Sequence, residues 1–282
     1  MAQIIDGKKI STQIKDEVKE QVAALKQKGI DVTLAVIQIG KDPASTVYVG
    51  NKKKACEYVG IRSLAYELPE ETSEQELLEL VQSLNAKEDV DGILVQLPLP
   101  KHIDEDKVIR TISPDKDVDG FHPESVGRLS IGQPGFVSCT PAGIIQLLKR
   151  SGITIDGKEC VIIGRSNIVG KPMGMLLLRE NGTVTICHSH TPDLKTVAKR
   201  ADILVAAIGK AKFVDASYVK DGAAVIDVGM DRDENGKLCG DVDFASVEPV
   251  AGAITPVPGG VGPMTIAMLM NNCVESAQRK HC

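Results

Sequence analysis

The feature of this sequence that most limits its fold is a regular alternation between continuous apolar runs and segments with helical spacing. In the first half of the chain, the predicted elements are strands at 32–40, 61–67 and 91–97 and helices at 42–60, 73–86 and 103–112. Strands that are apolar along their whole length and are separated by helices are typical of parallel sheets covered on both faces. The sequence therefore predicts an α/β fold.

The alternation pauses in the middle of the chain and then resumes, which predicts two domains. A helix at 140–152 precedes a second series, with strands at 160–164, 183–187, 203–209 and 223–229 and helices beginning near 170 and at 192–200. We expect a first domain at 1–145 and a second, Rossmann-like domain at 146–263. A last helix at 264–279 follows a loop rich in proline and glycine, and composition does not decide which domain it packs against.

The composition and charge of the chain exclude several classes of protein. With 43% hydrophobic residues the chain can form sizeable cores, whereas a net charge of −5 and the absence of tryptophan give no reason to expect a nucleic acid as partner. No apolar run is long enough to cross a membrane or to act as a signal peptide. The seven cysteines are scattered and include no C-x-x-C pair, so we expect a cytoplasmic protein with reduced thiols and no zinc site.

The segment VIIGRSNIVGKP (161–172) predicts a strand, a tight turn and the start of a helix. Gly164, Ser166 and Gly170 lie where a dinucleotide-binding fold has its phosphate turn. There, small residues let the backbone approach the pyrophosphate and the helix N-terminus supplies amide donors. Serine replaces the second glycine of G-x-G-x-x-G and the spacing is longer, so an ordinary strand-to-helix turn is the alternative.

The end of the next predicted strand indicates which nucleotide such a turn would bind. NAD sites usually carry Asp or Glu there to bind the ribose hydroxyls, but the strand TVTIC leads into His188, Ser189 and His190. A 2′-phosphate would fit between Arg165 and Ser189, which favours NADP over NAD. A plain polar loop is the alternative, and a Cys/His metal site lacks further ligands nearby.

The three consecutive lysines in YVGNKKK (48–54) fall on different faces of a predicted helix. At about 100° per residue, one arc carries Ser45, Tyr48, Ala55, Cys56 and Val59. Lys52 falls in the middle of this arc, one turn after Tyr48, whereas Lys53 and Lys54 fall on the opposite side. We therefore expect Lys52 to point towards the core or a cleft, where desolvation favours a neutral, reactive amine. The alternative is that Lys52 extends along the domain edge to reach water.

Two polar segments follow in the first domain. VQLPLP (95–100) ends a predicted strand and places Gln96 where parallel sheets bind ligands; a structural amide is the alternative. SPDKDVDGF (113–121) has the acid spacing of a calcium loop, but its twelfth position is Val126 rather than glutamate, and Pro123 is expected to break the following helix. We therefore expect a carboxylate here to bind a ligand amide or amino group.

The segment ITPVPGGVGPMT (254–265) contains three prolines and three glycines. We expect it to lie outside the core, as a backbone cradle in which Pro258, Gly259 and Gly260 contact the substrate. A rigid linker is the alternative.

These segments together resemble a known family. YVGNK, VQLPLP, PDKDVDGF, GRSNIVGKP and PVPGGVGPMT, in this order and spacing, are similar to the motifs of the bifunctional methylenetetrahydrofolate dehydrogenase/methenyltetrahydrofolate cyclohydrolase family. The resemblance extends over essentially the whole chain. It implies a homodimer of two-domain α/β subunits with a cleft between the domains, in which the C-terminal helix (264–282) packs back onto a folate-binding catalytic domain.

The resemblance also implies roles for individual residues. On the folate side, Tyr48 would stack against the substrate, Lys52 would be the catalytic lysine, Gln96 would bond to it and Asp119 would hold the pterin ring. On the cofactor side, Gly164, Arg165 and Ser166 would form the phosphate turn, Ser189 would lie beside the 2′-phosphate, and Met230 would lie near the cofactor, where the family usually has isoleucine.

The implied reactions belong to one-carbon metabolism. The enzyme would oxidise 5,10-methylenetetrahydrofolate with NADP and then hydrolyse the methenyl product to 10-formyltetrahydrofolate, without a metal. The alternatives are another two-domain NADP-dependent dehydrogenase similar to shikimate dehydrogenase, or a non-catalytic folate or nucleotide sensor. The presence of Tyr48, Lys52, Gln96 and Asp119 argues against the sensor, because a binding protein would not need the lysine.

Overall fold

The computed structural model of the protein describes residues 1–281, apart from the side chains of Pro43 and Ala44. The chain divides into two α/β units, and each unit is discontinuous in sequence. The six-stranded unit, named for its sheet, comprises residues 1–11 and 138–265. The three-stranded unit comprises residues 12–137 and the chain from residue 266 onwards.

The three-stranded unit contains a parallel sheet in the order β3-β2-β4. The strands and helices wholly within this unit are β2 (Thr33–Ile39), β3 (Arg62–Leu68), β4 (Gly92–Val95), α2 (Pro43–Val59), α3 (Glu74–Asn85), α4 (Glu105–Thr111) and α5 (Pro123–Ser130). The central strand β2 is buried at all seven positions, and its side chains share a core with those of α3 and α4. The strand-and-helix alternation predicted for this part of the sequence is confirmed.

The ends of α2 follow from local sequence. The carboxylate of Asp42 accepts a hydrogen bond from the Ser45 amide at 2.8 Å, and proline occupies the first helical position, where its missing N–H costs nothing. Gly60 ends the helix in the left-handed conformation with φ of +88°, which glycine adopts without steric penalty. Both predicted ends of this helix are confirmed.

Three of the described helices lie outside the predicted elements: α1 (Gly7–Gln27), α5 and a four-residue helix at Phe244–Val247. α1 buries apolar residues at helical spacing, from Ile10 and Ile14 to Val18 and Val22. α5 begins at Pro123, so the expectation that Pro123 breaks a helix is wrong. Proline is well tolerated in the first turn, and the Nδ1 of His122 caps this helix by accepting a hydrogen bond from the Glu124 amide at 3.0 Å.

The six-stranded unit contains a parallel sheet in the order β1-β11-β8-β7-β5-β6. Its strands and helices are β1 (Gln3–Ile4), β5 (Glu159–Ile163), β6 (Thr183–Cys187), β7 (Ile203–Ala206), β8 (Ala224–Asp227), β11 (Ala253–Ile254), α6 (Cys139–Arg150), α7 (Gly170–Arg179), α8 (Leu194–Ala198) and α9 (Phe244–Val247). β9 (Asp231–Arg232) and β10 (Leu238–Cys239) form a separate antiparallel hairpin. The strand order reverses direction between β5 and β7, and the carboxyl edge at such a switch point is where open parallel sheets bind ligands.

The division between the units differs from the predicted boundary at 145/146. It falls between Val137 and Ser138, and residues 1–11 join the six-stranded unit because β1 pairs with β11. α10 (Val261–His281) starts three residues before the predicted helix and passes into the three-stranded unit at residue 266. The expectation that residues 254–265 lie outside the core is also wrong, because Ile254 and Met264 are fully buried.

Candidate active site

The helix α2 presents its three lysines as the helical spacing predicts. Lys52 is only 6% exposed, whereas Lys53 and Lys54 are exposed. The Nζ of Lys52 donates a hydrogen bond to the Oε1 of Gln96 at 2.9 Å. This hydrogen bond from a neutral amide oxygen helps to fix the position of the buried amine.

Gln96 follows β4 and is fixed by its backbone as well as its side chain. Its amide N–H donates to the Ile37 carbonyl at 2.8 Å, and its Nε2 donates to the Leu97 carbonyl at 2.6 Å. Because the NH₂ end is engaged by Leu97, the oxygen end is the one that faces Lys52. The side chain of Gln96 therefore has both predicted roles: its Nε2 bonds to the backbone of the loop, as a structural amide would, and its Oε1 bonds to Lys52.

Tyr48 lies one helical turn before Lys52 and is half-buried. Burial raises the pKa of the Tyr48 phenol above its usual value, so the ring stays neutral at physiological pH. The four residues expected to act on folate, Tyr48, Lys52, Gln96 and Asp119, all belong to the three-stranded unit.

The acidic segment after β4 is organised around Asp117. This side chain is 2% exposed and accepts hydrogen bonds from the Phe121 amide at 3.2 Å, the His122 amide at 2.8 Å and the Ser125 hydroxyl at 2.9 Å. Burial nevertheless raises the pKa of Asp117 to about 6. Its oxygens are thus used to shape the loop and the first turn of α5, while Asp119 next to it is half-buried and Asp115 is exposed.

The turn between β5 and α7 has the bare backbone that a phosphate turn requires. Gly164 has φ of +131°, and a Cβ added to it would lie 2.1 Å from the Ala207 carbonyl oxygen, so no side chain fits there. The hydroxyl of Ser166 accepts hydrogen bonds from the Val169 and Gly170 amides at 3.1 and 3.3 Å and so holds the turn that leads into α7. The turn therefore fits a dinucleotide, with serine bonding to amides at the start of the helix where the usual motif has glycine.

Arg165 and Ser189 follow neighbouring strands at one edge of the sheet. β5 and β6 are paired in parallel, and the Gly164 amide donates to the Cys187 carbonyl at 2.9 Å. Both side chains are exposed. The turn that carries Ser189 is held by the His188 amide, which donates to the Thr191 hydroxyl at 2.9 Å.

The remaining predicted ligand residues lie beyond β8 and β11, in the same unit. Met230 is 46% exposed and follows the strand, which ends at Asp227 rather than at residue 229. Gly259 and Gly260 are buried, and Pro258 is exposed. The Lys8 amide donates to the Gly259 carbonyl at 3.0 Å, so this loop packs against the start of α1. The predicted substrate residues are thus divided between the two units.

Three buried or half-buried acids at this edge are absent from the predicted site: Asp227, Asp231 and Asp241. Burial raises the pKa of Asp227 to about 7. An aspartate that directly ends an apolar strand, as in VIDVG, is the sequence signal that marks Asp227. Nothing comparable marks Asp241, because its partners lie in a distant loop.

Two further features bear on the chemistry of the described chain. Among residues 1–281, no helix combines the length and the apolar character needed to cross a bilayer. In that same part of the chain, no three His, Cys, Asp or Glu side chains gather as ligands for a metal ion.

Comparison with known proteins identifies close similarities along the whole chain. Residues 5–119 match the tetrahydrofolate dehydrogenase/cyclohydrolase catalytic domain, and residues 138–281 match the NAD(P)-binding domain of the same family. The bifunctional protein FolD of Lachnoclostridium phytofermentans is 74% identical over 279 residues, which cover 99% of both chains.

Two solved structures extend the similarity to the fold. The bifunctional dehydrogenase/cyclohydrolase FolD of Campylobacter jejuni has a TM-score of 0.97 and 50% identity, with 99% of each chain covered. The methylenetetrahydrofolate dehydrogenase-cyclohydrolase of Trypanosoma brucei, solved with NADP and an inhibitor, has a TM-score of 0.94 and 40% identity, covering 99% of this chain and 98% of that one.

Proposed function

Since the chain belongs to the tetrahydrofolate dehydrogenase/cyclohydrolase family, we propose roles for its residues in the two reactions that it catalyses. The enzyme oxidises 5,10-methylenetetrahydrofolate to 5,10-methenyltetrahydrofolate with NADP and hydrolyses the methenyl compound to 10-formyltetrahydrofolate. A dehydrogenase of the shikimate type is not favoured, because both domains match the folate family.

The hydrogen-bonded pair of Lys52 and Gln96 is the observation that carries the proposed mechanism. In the hydrolysis, a water molecule must lose a proton and a ring nitrogen must gain one, which calls for a group that moves protons. A fixed ammonium would repel the cationic methenyl substrate. Lys52 therefore acts as a partly neutral amine, or on the negative charge that develops on the attacking oxygen, and Gln96 orients its Nζ.

Asp119 and Tyr48 bind the substrate in this proposal. A half-buried carboxylate can accept paired hydrogen bonds from the amide and amino groups of a pterin ring. The neutral phenol of Tyr48 offers a flat surface for stacking. Pro258, Gly259 and Gly260 would contribute backbone contacts to the folate.

The residues at the edge of the six-stranded sheet bind the cofactor. The backbone at Gly164 and Ser166 leaves room for the pyrophosphate, Arg165 and Ser189 bind the 2′-phosphate, and Met230 lies near the nicotinamide end. NADP, when bound, accepts the hydride that leaves the methylene carbon. The protein needs only to align the two ligands for this step, since no proton is abstracted at that carbon.

We further propose a cytoplasmic homodimer whose ligands are small molecules rather than nucleic acids or membranes. The edge strand β3 is seven residues long and half-exposed, and an unprotected edge of this length is commonly covered by another chain. The six described cysteines are free thiols, and free thiols persist in a reducing compartment. Light scattering on the purified enzyme tests the dimer.

The experiment that tests the mechanism replaces Lys52 with methionine. Lys52→Met keeps the stem and the helix but removes the amine, so we expect near-complete loss of cyclohydrolase with measurable dehydrogenase activity. Methenyltetrahydrofolate should then accumulate and be visible by absorbance. Lys53→Met, one residue away on the exposed face, is the matched control and should change neither activity. Normal hydrolysis by Lys52→Met would disprove the role of the amine.

A further inference from the structure

Asp241 is a fully buried carboxylate whose partners include two amides of a distant loop and the side chain of Asp231. Its side chain is 0% exposed. Its Oδ2 accepts a hydrogen bond from the Ile208 amide at 2.8 Å, and its Oδ1 accepts one from the Lys210 amide at 2.7 Å. Each carboxylate oxygen therefore holds one end of the short segment that follows β7.

A second carboxylate fixes Asp241 in turn. Asp227, at the end of β8, accepts hydrogen bonds from the Asp241 amide at 2.9 Å, the Val242 amide at 3.0 Å and the Gly229 amide at 3.0 Å. The packing is tight, because a Cβ added to Gly229 would lie 2.3 Å from the Asp241 nitrogen. The two acids thus connect the segments after β7 and β8 through backbone amides.

The loop held by Asp241 lies directly against the proposed phosphate turn. Residue 207 is the neighbour of Ile208, and its carbonyl oxygen is the atom that a Cβ on Gly164 would meet at 2.1 Å. β5 and β7 flank the point where the strand order reverses, so the turn after β5 and the loop after β7 are the two sides of the ligand-binding edge. A displacement of residues 207–210 would change the space available at Gly164.

We infer that Asp241 is a positioning residue for the dehydrogenase reaction: it holds residues 207–210 against Gly164 and so sets the geometry of the NADP site. The inference rests on the proposed binding of NADP at the Gly164 turn. The role is an indirect one, because Asp241 is fully buried and both of its carboxylate oxygens accept hydrogen bonds from backbone amides. Because hydrolysis of methenyltetrahydrofolate needs no NADP, the two activities of one enzyme separate this role from a general contribution to stability.

The test is Asp241→Asn, which keeps the size of the side chain but offers one acceptor oxygen in place of two. Loss of one buried hydrogen bond to the loop should raise both the KM for NADP and its Kd, measured by titration calorimetry, by about tenfold. Cyclohydrolase activity, assayed on methenyltetrahydrofolate without NADP, should stay within about twofold of the wild type. Hydrogen exchange should speed up in the peptide that contains Ile208 and Lys210.

The matched control is Asp202→Asn at the opposite end of β7. Asp202 also binds a backbone amide, that of Glu159 at 3.0 Å, but it lies away from the carboxyl edge of the sheet. This variant should leave the affinity for NADP unchanged. The inference is overturned if Asp241→Asn lowers both activities equally, or if its Kd for NADP is unchanged. The proposed function is tested separately, by whether the wild-type enzyme oxidises methylenetetrahydrofolate with NADP.

A second pair of variants tests the loop without changing the buried acid. Lys210→Pro removes the amide that Asp241 Oδ1 accepts from, and Lys210→Ala keeps it. The proline variant should bind NADP about threefold or more weakly than the alanine variant. Equal affinity of the two variants would overturn the inference even if Asp241→Asn fails to fold.

Discussion

Lys52 shows how a single side chain can be buried and still remain available for chemistry. Its Nζ donates a hydrogen bond to the amide oxygen of Gln96 at 2.9 Å. An amide oxygen can accept a hydrogen bond from a charged or a neutral amine alike. The pair therefore fixes the position of the nitrogen.

Arg165 offers a direct test of cofactor choice at the residue scale. Arg165→Ala should weaken NADP by about 1.5–3 kcal/mol, at least about tenfold, because a charge-assisted contact to the 2′-phosphate is lost. NAD lacks that phosphate, so its affinity should change little. Titration of each cofactor gives the two constants, and Arg179→Ala, on the exposed last turn of α7, serves as the control. A similar loss for both cofactors would show that Arg165 does not bind the 2′-phosphate.

The residues differ in how far the sequence predicts them. The burial of Lys52 follows from the 100° step of one helix, because its neighbours on the arc are only three or four positions away. The contact with Gln96 is 44 positions away along the chain and follows from the family resemblance alone. Asp241 and its loop are beyond either argument, since a hydrogen bond from a backbone amide leaves no mark on the donor's residue type.

At the scale of the helices, replacing glycine by alanine should raise stability at one position and lower it at another. Gly127 lies within α5, and a Cβ added to it meets nothing within 4 Å, so Gly127→Ala should stabilise the protein by about 0.5–1 kcal/mol. Gly60 ends α2 with φ of +88°, so Gly60→Ala should lower stability by a similar amount or more. Thermal melting should show a higher midpoint for the first variant and a lower one for the second. The same direction of change in both would contradict these backbone conformations.

The loop before α5 gives a pH dependence through Asp117. Its folded pKa of about 6 lies above the usual value for aspartate, because burial outweighs the three hydrogen bonds. Its contribution to stability is therefore fully present below about pH 4 and is lost as the pH rises through about 6. Between these values, wild-type stability should fall by about 1–3 kcal/mol relative to Asp117→Asn.

Urea unfolding of the wild type and Asp117→Asn at several pH values measures this difference. Asp115→Asn, which makes the same substitution at an exposed position of the same segment, is the control for the change of residue itself. A gap between the wild type and Asp117→Asn that stays constant from pH 4 to 7 would contradict the raised pKa.

The elements themselves were predictable where their signals are local. α2 follows from its cap, its first-turn proline and its terminal glycine, and the buried strands follow from their unbroken apolar runs. α1 also carries a readable signal, in apolar residues spaced three and four apart. The two-residue strands β1 and β11 do not, because so few residues have no periodicity and their pairing is decided by tertiary contacts.

At the scale of the whole molecule, the boundary between units depends on contacts between distant parts of the chain. Composition changes little between residues 137 and 146, so the sequence gives no sharp division there. The last helix enters the three-stranded unit through hydrogen bonds rather than through its apolar face alone. The Nδ2 of Asn272 donates to the Val118 carbonyl at 2.9 Å and to the Val137 carbonyl at 3.1 Å.

This arrangement makes Asn272 a test of how α10 supports the folate side. Asn272→Ala would leave the buried Val118 carbonyl and the half-buried Val137 carbonyl without this donor. The loss costs about 1–3 kcal/mol, so the melting midpoint should fall by several degrees. The KM for methylenetetrahydrofolate should rise, because Val118 precedes Asp119, and the Kd for NADP should not change. Asn271→Ala, at the neighbouring half-buried position, is the control. An unchanged KM for methylenetetrahydrofolate would show that α10 does not support the binding of the pterin ring.

The discontinuity of the units has a consequence for synthesis of the protein. On the ribosome, α10 emerges after every residue proposed to bind substrate or cofactor. At about 5–20 residues per second, the interval between residues 137 and 281 is on the order of 10 s. During this interval two groups of the three-stranded unit lack partners that α10 supplies later. Cys56 will contact Met270, and the Asp91 carbonyl will accept a hydrogen bond from the Ser276 hydroxyl. A premature stop codon within α10 should thus send a chain with a complete set of catalytic side chains to the cell's proteases.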